Sequence, residues 1–128
     1  MIGAPFTEDG SPMTMKLFKP KKTADDDGFY TAVPAHTVQP NQLTKITING
    51  QPILLTRWQD ELVAFSAYCP HAAADLSKGE LYRGKIECLD HGYVFDVRNG
   101  RVLWPEDEVC RLKRFDVKEE GGMIKVKI

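Results

Sequence analysis

The chain has 128 residues, enough for one compact domain with its own core and too few for two of ordinary size. Its 42% hydrophobic and 27% charged residues are those of a soluble globular protein, and a formal net charge of −1 gives no bulk attraction to nucleic acid or to an anionic membrane. No stretch approaches the roughly 18 apolar residues of a membrane span, and neither a secretory leader nor a twin-arginine pair is read at the N-terminus. Three cysteines make an odd count, so a reducing cytoplasm is the expected compartment.

Residues 1–28 lack a sustained apolar period and carry Lys19-Pro20-Lys21-Lys22 followed by Asp25-Asp26-Asp27. They read as an N-terminal extension with one short strand at 13–18 and solvated charge runs, leaving 29–128 as the domain. From Phe29 the signal is β. Residues 43–48 alternate polar and apolar, Asn49-Gly50 is a hairpin-turn pair, and 53–57 return. Residues 58–61 turn into a strand at 62–67, which runs directly to Cys69. Ile86 and Cys88 end a further β-like run, 93–97 form the next, and Asn99-Gly100 turn it into 101–104. Phe115 and Val117 alternate with charge, Gly121-Gly122 turn, and Ile124, Val126 and Ile128 share a face opposite Lys125 and Lys127. One helical turn is expected at 72–76. Short strands at regular spacing predict an all-β antiparallel sandwich or barrel.

Two loops between strands carry the chemistry: Cys69-Pro70-His71 and, after sixteen residues, Cys88-Leu89-Asp90-His91. Each offers one thiolate and one imidazole. Soft sulfur ligands suit iron–sulfur clusters, and exchanging two thiolates for two neutral imidazoles raises the reduction potential. Tetrahedral zinc also accepts two Cys and two His, but a zinc finger usually presents a Cys pair followed by a His pair, whereas here each loop gives Cys then His.

At these residues the chain resembles the Rieske [2Fe–2S] family, whose pattern is Cys-x-His, a spacer of this order, then Cys-x-x-His. The resemblance implies an antiparallel fold with both loops at one tip. It also implies that Cys69 and Cys88 hold the inner iron and His71 and His91 the outer one, and that a proline-containing loop, for which Pro105 is the candidate, covers the cluster. High-potential members have an extra Cys in each loop, joined as a disulfide; Ala74 and Asp90 stand there in this chain. Those members also place Ser and Tyr hydroxyls, donating to cluster and ligand sulfur, where this chain has Tyr93 and Phe95. Since such donors stabilise the reduced cluster, their absence predicts a potential toward the lower end of the roughly −150 to +300 mV Rieske range.

The resemblance implies a one-electron carrier that takes electrons from a flavoprotein ferredoxin reductase and passes them to a terminal oxygenase of the ring-hydroxylating dioxygenase type, without being an enzyme itself. An oxygenase α subunit also needs a mononuclear iron domain, and only His36 stands outside the motif. The alternative is the small subunit of an assimilatory nitrite reductase, suggested by Pro105-Glu106-Asp107-Glu108-Val109-Cys110. Of the remaining residues, Cys110 reads as a packed structural thiol, His36 as a loop histidine, Trp58 and Trp104 as packing, and Glu106-Asp107-Glu108 as a solvated acidic loop near the cluster.

Overall fold

The computed structural model describes residues 23–71, 73–90 and 92–128. The strand expected at 13–18 and the basic run at 19–22 lie outside the described residues. Ten strands form among the described residues: β1 (Tyr30–Pro34), β2 (Thr44–Ile48), β3 (Gln51–Trp58), β4 (Glu61–Ser66), β5 (Glu80–Tyr82), β6 (Lys85–Glu87), β7 (Val94–Asp96), β8 (Val102–Trp104), β9 (Arg114–Glu120) and β10 (Met123–Lys127). Two short 3-10 turns, Ala35–Thr37 and Leu76–Lys78, are the helical content of the described residues.

All strand pairings are antiparallel, in a six-stranded sheet ordered β1-β10-β9-β4-β3-β2 and a four-stranded sheet ordered β5-β6-β7-β8. The outer strands of the larger sheet, β1 and β2, approach one another, so that sheet curls nearly closed. Four hairpins close through two residues at positive φ: Asn49-Gly50, Gln59-Asp60, Arg83-Gly84 and Gly121-Gly122. Two positive φ values give the turn a twist that matches the flanking strands, which is why Asn-Gly announces its hairpin in sequence. Gln59-Asp60 and Arg83-Gly84 adopt the same conformation with weaker sequence signals.

The β3–β4 hairpin is the wall between two cores. Ile53, Leu55 and Ala64 face a core with Ile48, Phe115, Ile124 and Val126 inside the curled sheet. Leu54, Val63 and Phe65 face the second core, shared with Leu76, Ile86, Phe95 and the two loop cysteines. A strand buried on both sides reads as a continuous apolar run, and Ile53-Leu54-Leu55 and Val63-Ala64-Phe65 are such runs. Arg57 ties the 3-10 turn at Ala35–Thr37 to this wall, donating to the carbonyls of Val38 at 2.8 Å and Ala35 at 3.2 Å.

Three expectations need correction. The helical turn forms at Leu76–Lys78 rather than 72–76, because Asp75 is extended and caps the turn from outside. Ile128 falls after β10 and is 46% exposed, so only Ile124 and Val126 bury that face. The acidic run is not simply solvated: Asp25 pairs with Lys125 and Asp27 with Lys118, each at 2.7 Å, laying this segment on the β9–β10 hairpin. Lys118 holds the Asp27 carboxyl below its ordinary pKa, against a smaller opposing effect of desolvation.

Thr56 is fully buried on β3 opposite Val63, and among the described residues its hydroxyl has no hydrogen-bond partner. An unmet buried hydroxyl costs about 1 kcal/mol or more. Thr56→Val, which keeps the shape, is expected to raise stability by about 1 kcal/mol in thermal or denaturant unfolding; a loss of that size would show that the hydroxyl is satisfied.

Candidate metal centre

Both Cys/His loops are built on one backbone pattern. The amide of Cys69 donates to the carbonyl of Ala74 at 2.8 Å, and the amide of Ala73 returns to the carbonyl of Cys69 at 2.7 Å. In the second loop the amide of Cys88 donates to Tyr93 at 2.8 Å, and the amide of Gly92 returns to Cys88 at 2.7 Å. Residues 69, 73 and 74 thus correspond to 88, 92 and 93, nineteen positions on in each case. Ala73 (φ 55°) and Gly92 (φ 73°) both take left-handed backbone. Glycine adopts it readily; an alanine held there is uncommon and marks a loop whose shape is enforced by its surroundings. The correspondence was not visible in sequence, since Cys-Pro-His-Ala-Ala-Ala and Cys-Leu-Asp-His-Gly-Tyr share only the leading Cys position by position.

This geometry turns both thiols inward. Cys69 and Cys88 are each 1% exposed and belong to one apolar cluster with Ala67, Leu76, Tyr93 and Phe95. His71 lies exposed at the rim, where its ring stacks on Tyr93 at 4.1 Å between centroids and 16° between planes. His91 lies outside the described residues, and among the described residues no three His, Cys, Asp or Glu side chains converge on one point. Two buried soft donors beside an apolar wall, with an imidazole at the solvent edge, suit a cluster having one sheltered and one exposed iron.

Both loops are braced from outside. Asp75 accepts from the Ser77 amide at 2.9 Å and the Ser77 hydroxyl at 2.6 Å, and pairs with Lys45 at 3.3 Å. These bonds, those to Ser77 most of all, hold its carboxyl below the ordinary value of 3.8. The turn so capped carries Leu76, whose amide donates to Ala67 at 2.7 Å two residues before Cys69. Gly79 serves the second loop: a Cβ there would collide with the carbonyl oxygen of Glu87, next to Cys88.

A third segment, residues 105–110, closes against the second loop. Trp104 lies over Gly92, 3.7 Å from where a Cβ would stand, and the Tyr93 hydroxyl donates to the Glu108 carboxylate at 2.8 Å. That hydrogen bond, helped by burial and by the carboxylate's charge, pushes the Tyr93 phenol up to about 12, so it remains a donor. The acidic loop is therefore only partly solvated: Glu106 and Asp107 are exposed, while Glu108 turns inward. Phe95 is fully buried and has no donor. Cys110 packs half-buried against the thiol-bearing core, where burial raises its thiol pKa, as befits a structural cysteine. Tyr93 and Glu108 escaped sequence reading as a pair because nothing in fifteen residues of separation signals their contact.

Fold and loops together define a Rieske-type iron–sulfur domain. The family model for the Rieske [2Fe-2S] domain matches residues 28–119, and the chain belongs to that family. Its cofactor is accordingly a Rieske [2Fe–2S] cluster. The chain is 31% identical over 95 residues to the ferredoxin component of the naphthalene 1,2-dioxygenase system of Pseudomonas aeruginosa, covering 74% of this chain and 90% of that protein. It superposes on the ferredoxin of carbazole 1,9a-dioxygenase from Nocardioides aromaticivorans with a TM-score of 0.68 and 28% identity, covering 76% of this chain and 94% of the other. A chain in a complex of reduced oxygenase and oxidised ferredoxin of carbazole 1,9a-dioxygenase gives a TM-score of 0.71 at 28% identity, with 80% and 94% covered. Several other curated relatives are much longer, and the chain spans 14% to 30% of their length.

Replacing Asp75 by Ala removes the cap beneath the first ligand loop and is expected to cost about 1 kcal/mol. Because the carboxyl's pKa is lowered in the folded state, its contribution is complete above the unfolded value of 3.8 and fades only as pH falls through the lower folded value. The difference between Asp75→Ala and wild type should therefore be constant from pH 7 to about 5, read by thermal unfolding. A difference that shrinks within that window would contradict the assigned contacts.

Proposed function

We propose that this chain is a one-electron carrier, a Rieske ferredoxin that receives electrons from a flavoprotein reductase and delivers them to a terminal oxygenase of the ring-hydroxylating type. The observation that carries this is the pairing of two buried thiols with an imidazole at the exposed rim. In this reading Cys69 and Cys88 bind the inner iron and His71 and His91 the outer one, and residues 29–128 form the working domain behind the extension at 1–28. The bound cluster supplies a reversible one-electron couple.

The protein's part is to seat, shield and present that couple. Phe95, Leu76 and Ala67 keep water from the thiol side. The rim is apolar and open: Tyr68 precedes Cys69, Leu89 follows Cys88, Trp104 lies over Gly92, and Val109 is 90% exposed in the third segment. Such a collar suits brief docking of a partner's redox centre near His71. Near-coverage of the naphthalene system's ferredoxin component supports a separate carrier, and the ferredoxin–oxygenase complex among the similar structures supports the oxygenase as acceptor. Among the described residues no helix is long and apolar enough to cross a membrane; a cytoplasmic place fits the thiol ligands.

With reductase and terminal oxygenase supplied, the purified protein is expected to restore substrate-dependent NADH consumption, and Cys69→Ser or Cys88→Ser to abolish it together with the visible absorption. Isolation in a stoichiometric complex with a sirohaem protein would instead establish the nitrite reductase subunit. If the exposed Glu106 and Asp107 guide the reductase, reversing both charges should slow reduction severalfold at low salt and little at high salt. Salt-independent rates in both proteins would remove that role.

A further inference from the structure

Tyr93 occupies a singular position, because it touches all three segments around the centre. Its carbonyl accepts the Cys88 amide in the second ligand loop, its ring covers one face of His71 from the first, and its hydroxyl reaches Glu108 in the third. The ring is buried, with 8% exposure, although the histidine it covers is exposed. Glu108 is itself held: its amide donates to the Pro105 carbonyl at 3.3 Å, and Cys110, two residues on, packs in the core. The tyrosine is thus fixed at its backbone and at the far end of its side chain, and between these points it presents a nearly parallel aromatic face to the imidazole.

We propose that Tyr93 and Glu108 form a clamp that sets the plane of the His71 ring and closes the 105–110 segment over the second ligand loop, making both positioning residues for the electron-transfer site. This rests on His71 being a ligand of the outer iron. An imidazole bound through one nitrogen can turn about its bond to the metal within the range its Cβ tether allows, and stacking on Tyr93 narrows that range. The fixed ring also keeps solvent from one face of His71, and water there would favour the more negative, reduced cluster. Supporting groups beyond the direct ligands commonly tune a metal site by orienting those ligands. Here the support is an aromatic face held by a carboxylate rather than a hydrogen bond to the cluster.

The test is the midpoint potential and low-temperature EPR spectrum of the reduced holoprotein and four variants. Tyr93→Phe and Glu108→Ala each cut the clamp and are expected to broaden the EPR lines and shift the oxidised-to-reduced ratio at fixed potential by threefold to tenfold toward reduction, tenfold being about 59 mV for one electron. Glu108→Gln retains an acceptor for the phenol and should keep the wild-type line widths. Asp107→Ala removes an equal charge from an exposed neighbour and should change the ratio less than twofold. The clamp is overturned if Tyr93→Phe leaves both readouts unchanged, if Glu108→Gln broadens the lines as Glu108→Ala does, or if Asp107→Ala shifts the potential as far as Glu108→Ala. Absence of a Rieske spectrum from the wild type would instead overturn the function proposed above, so the two failures are distinct.

Discussion

Everything in this molecule depends on bringing two thiols, nineteen residues apart in sequence, into one dry pocket while leaving imidazole at the surface. The backbone accomplishes it by repetition. In each loop the cysteine amide and carbonyl are both engaged within the loop, in bonds of 2.7 to 2.8 Å, so the cysteine cannot turn outward without breaking two hydrogen bonds. Both cysteines then lie buried in the same core as Leu54, Val63 and Phe65. Satisfying the loop backbones locally is what permits polar main chain to sit beside that core, since buried amides without partners would oppose the packing.

The same arrangement divides labour between the two sheets. The six-stranded sheet carries a core of its own; Arg57 on β3 ties the Ala35–Thr37 turn to it, and the ion pairs of Asp25 and Asp27 with β10 and β9, which as surface pairs each contribute little, together fix where the chain enters. The four-stranded sheet is small, and its strands of three residues are held chiefly by the shared core and the turns between them. The two Cys/His loops accordingly flank the smaller sheet, one leading from β4 into β5 and the other joining β6 to β7. The residues around the thiols also bear on potential: Phe95 is buried and donor-free, and the hydroxyl of Tyr93 is taken up by Glu108. Neither aromatic residue is left to stabilise the reduced cluster by donation, which agrees with a potential low in the Rieske range.

Much of this was legible in the sequence, for reasons that can be named. Asn49-Gly50 and Gly121-Gly122 announced their hairpins because those residues tolerate the backbone their turns require. The Cys and His pattern stood out because thiolate and imidazole are the donor types that such a cluster takes, presented here in two short loops. β5 went unread because Glu80-Leu81-Tyr82 is three residues long and carries too little periodicity to declare itself. The turn expected at 72–76 lies elsewhere because alanines suggest helix, whereas Asp75 binding Ser77 makes residue 75 the cap, so the turn begins at Leu76. Asp25 and Asp27 looked solvated because their lysines stand about a hundred residues away, and local charge patterning does not reveal such partners. The contact of Tyr93 with His71 and Glu108 belongs to the same class: it is made by the fold and leaves no trace in spacing.

The claim on which the account turns is the divided ligation, two cysteines on one iron and two histidines on the other. Pulsed EPR of the reduced protein reads it directly through nitrogen coupling. The account predicts couplings from two imidazole nitrogens in the wild type, one of which disappears in His71→Cys and the other in His91→Cys. A spectrum without nitrogen coupling, or one unchanged by either substitution, would contradict it.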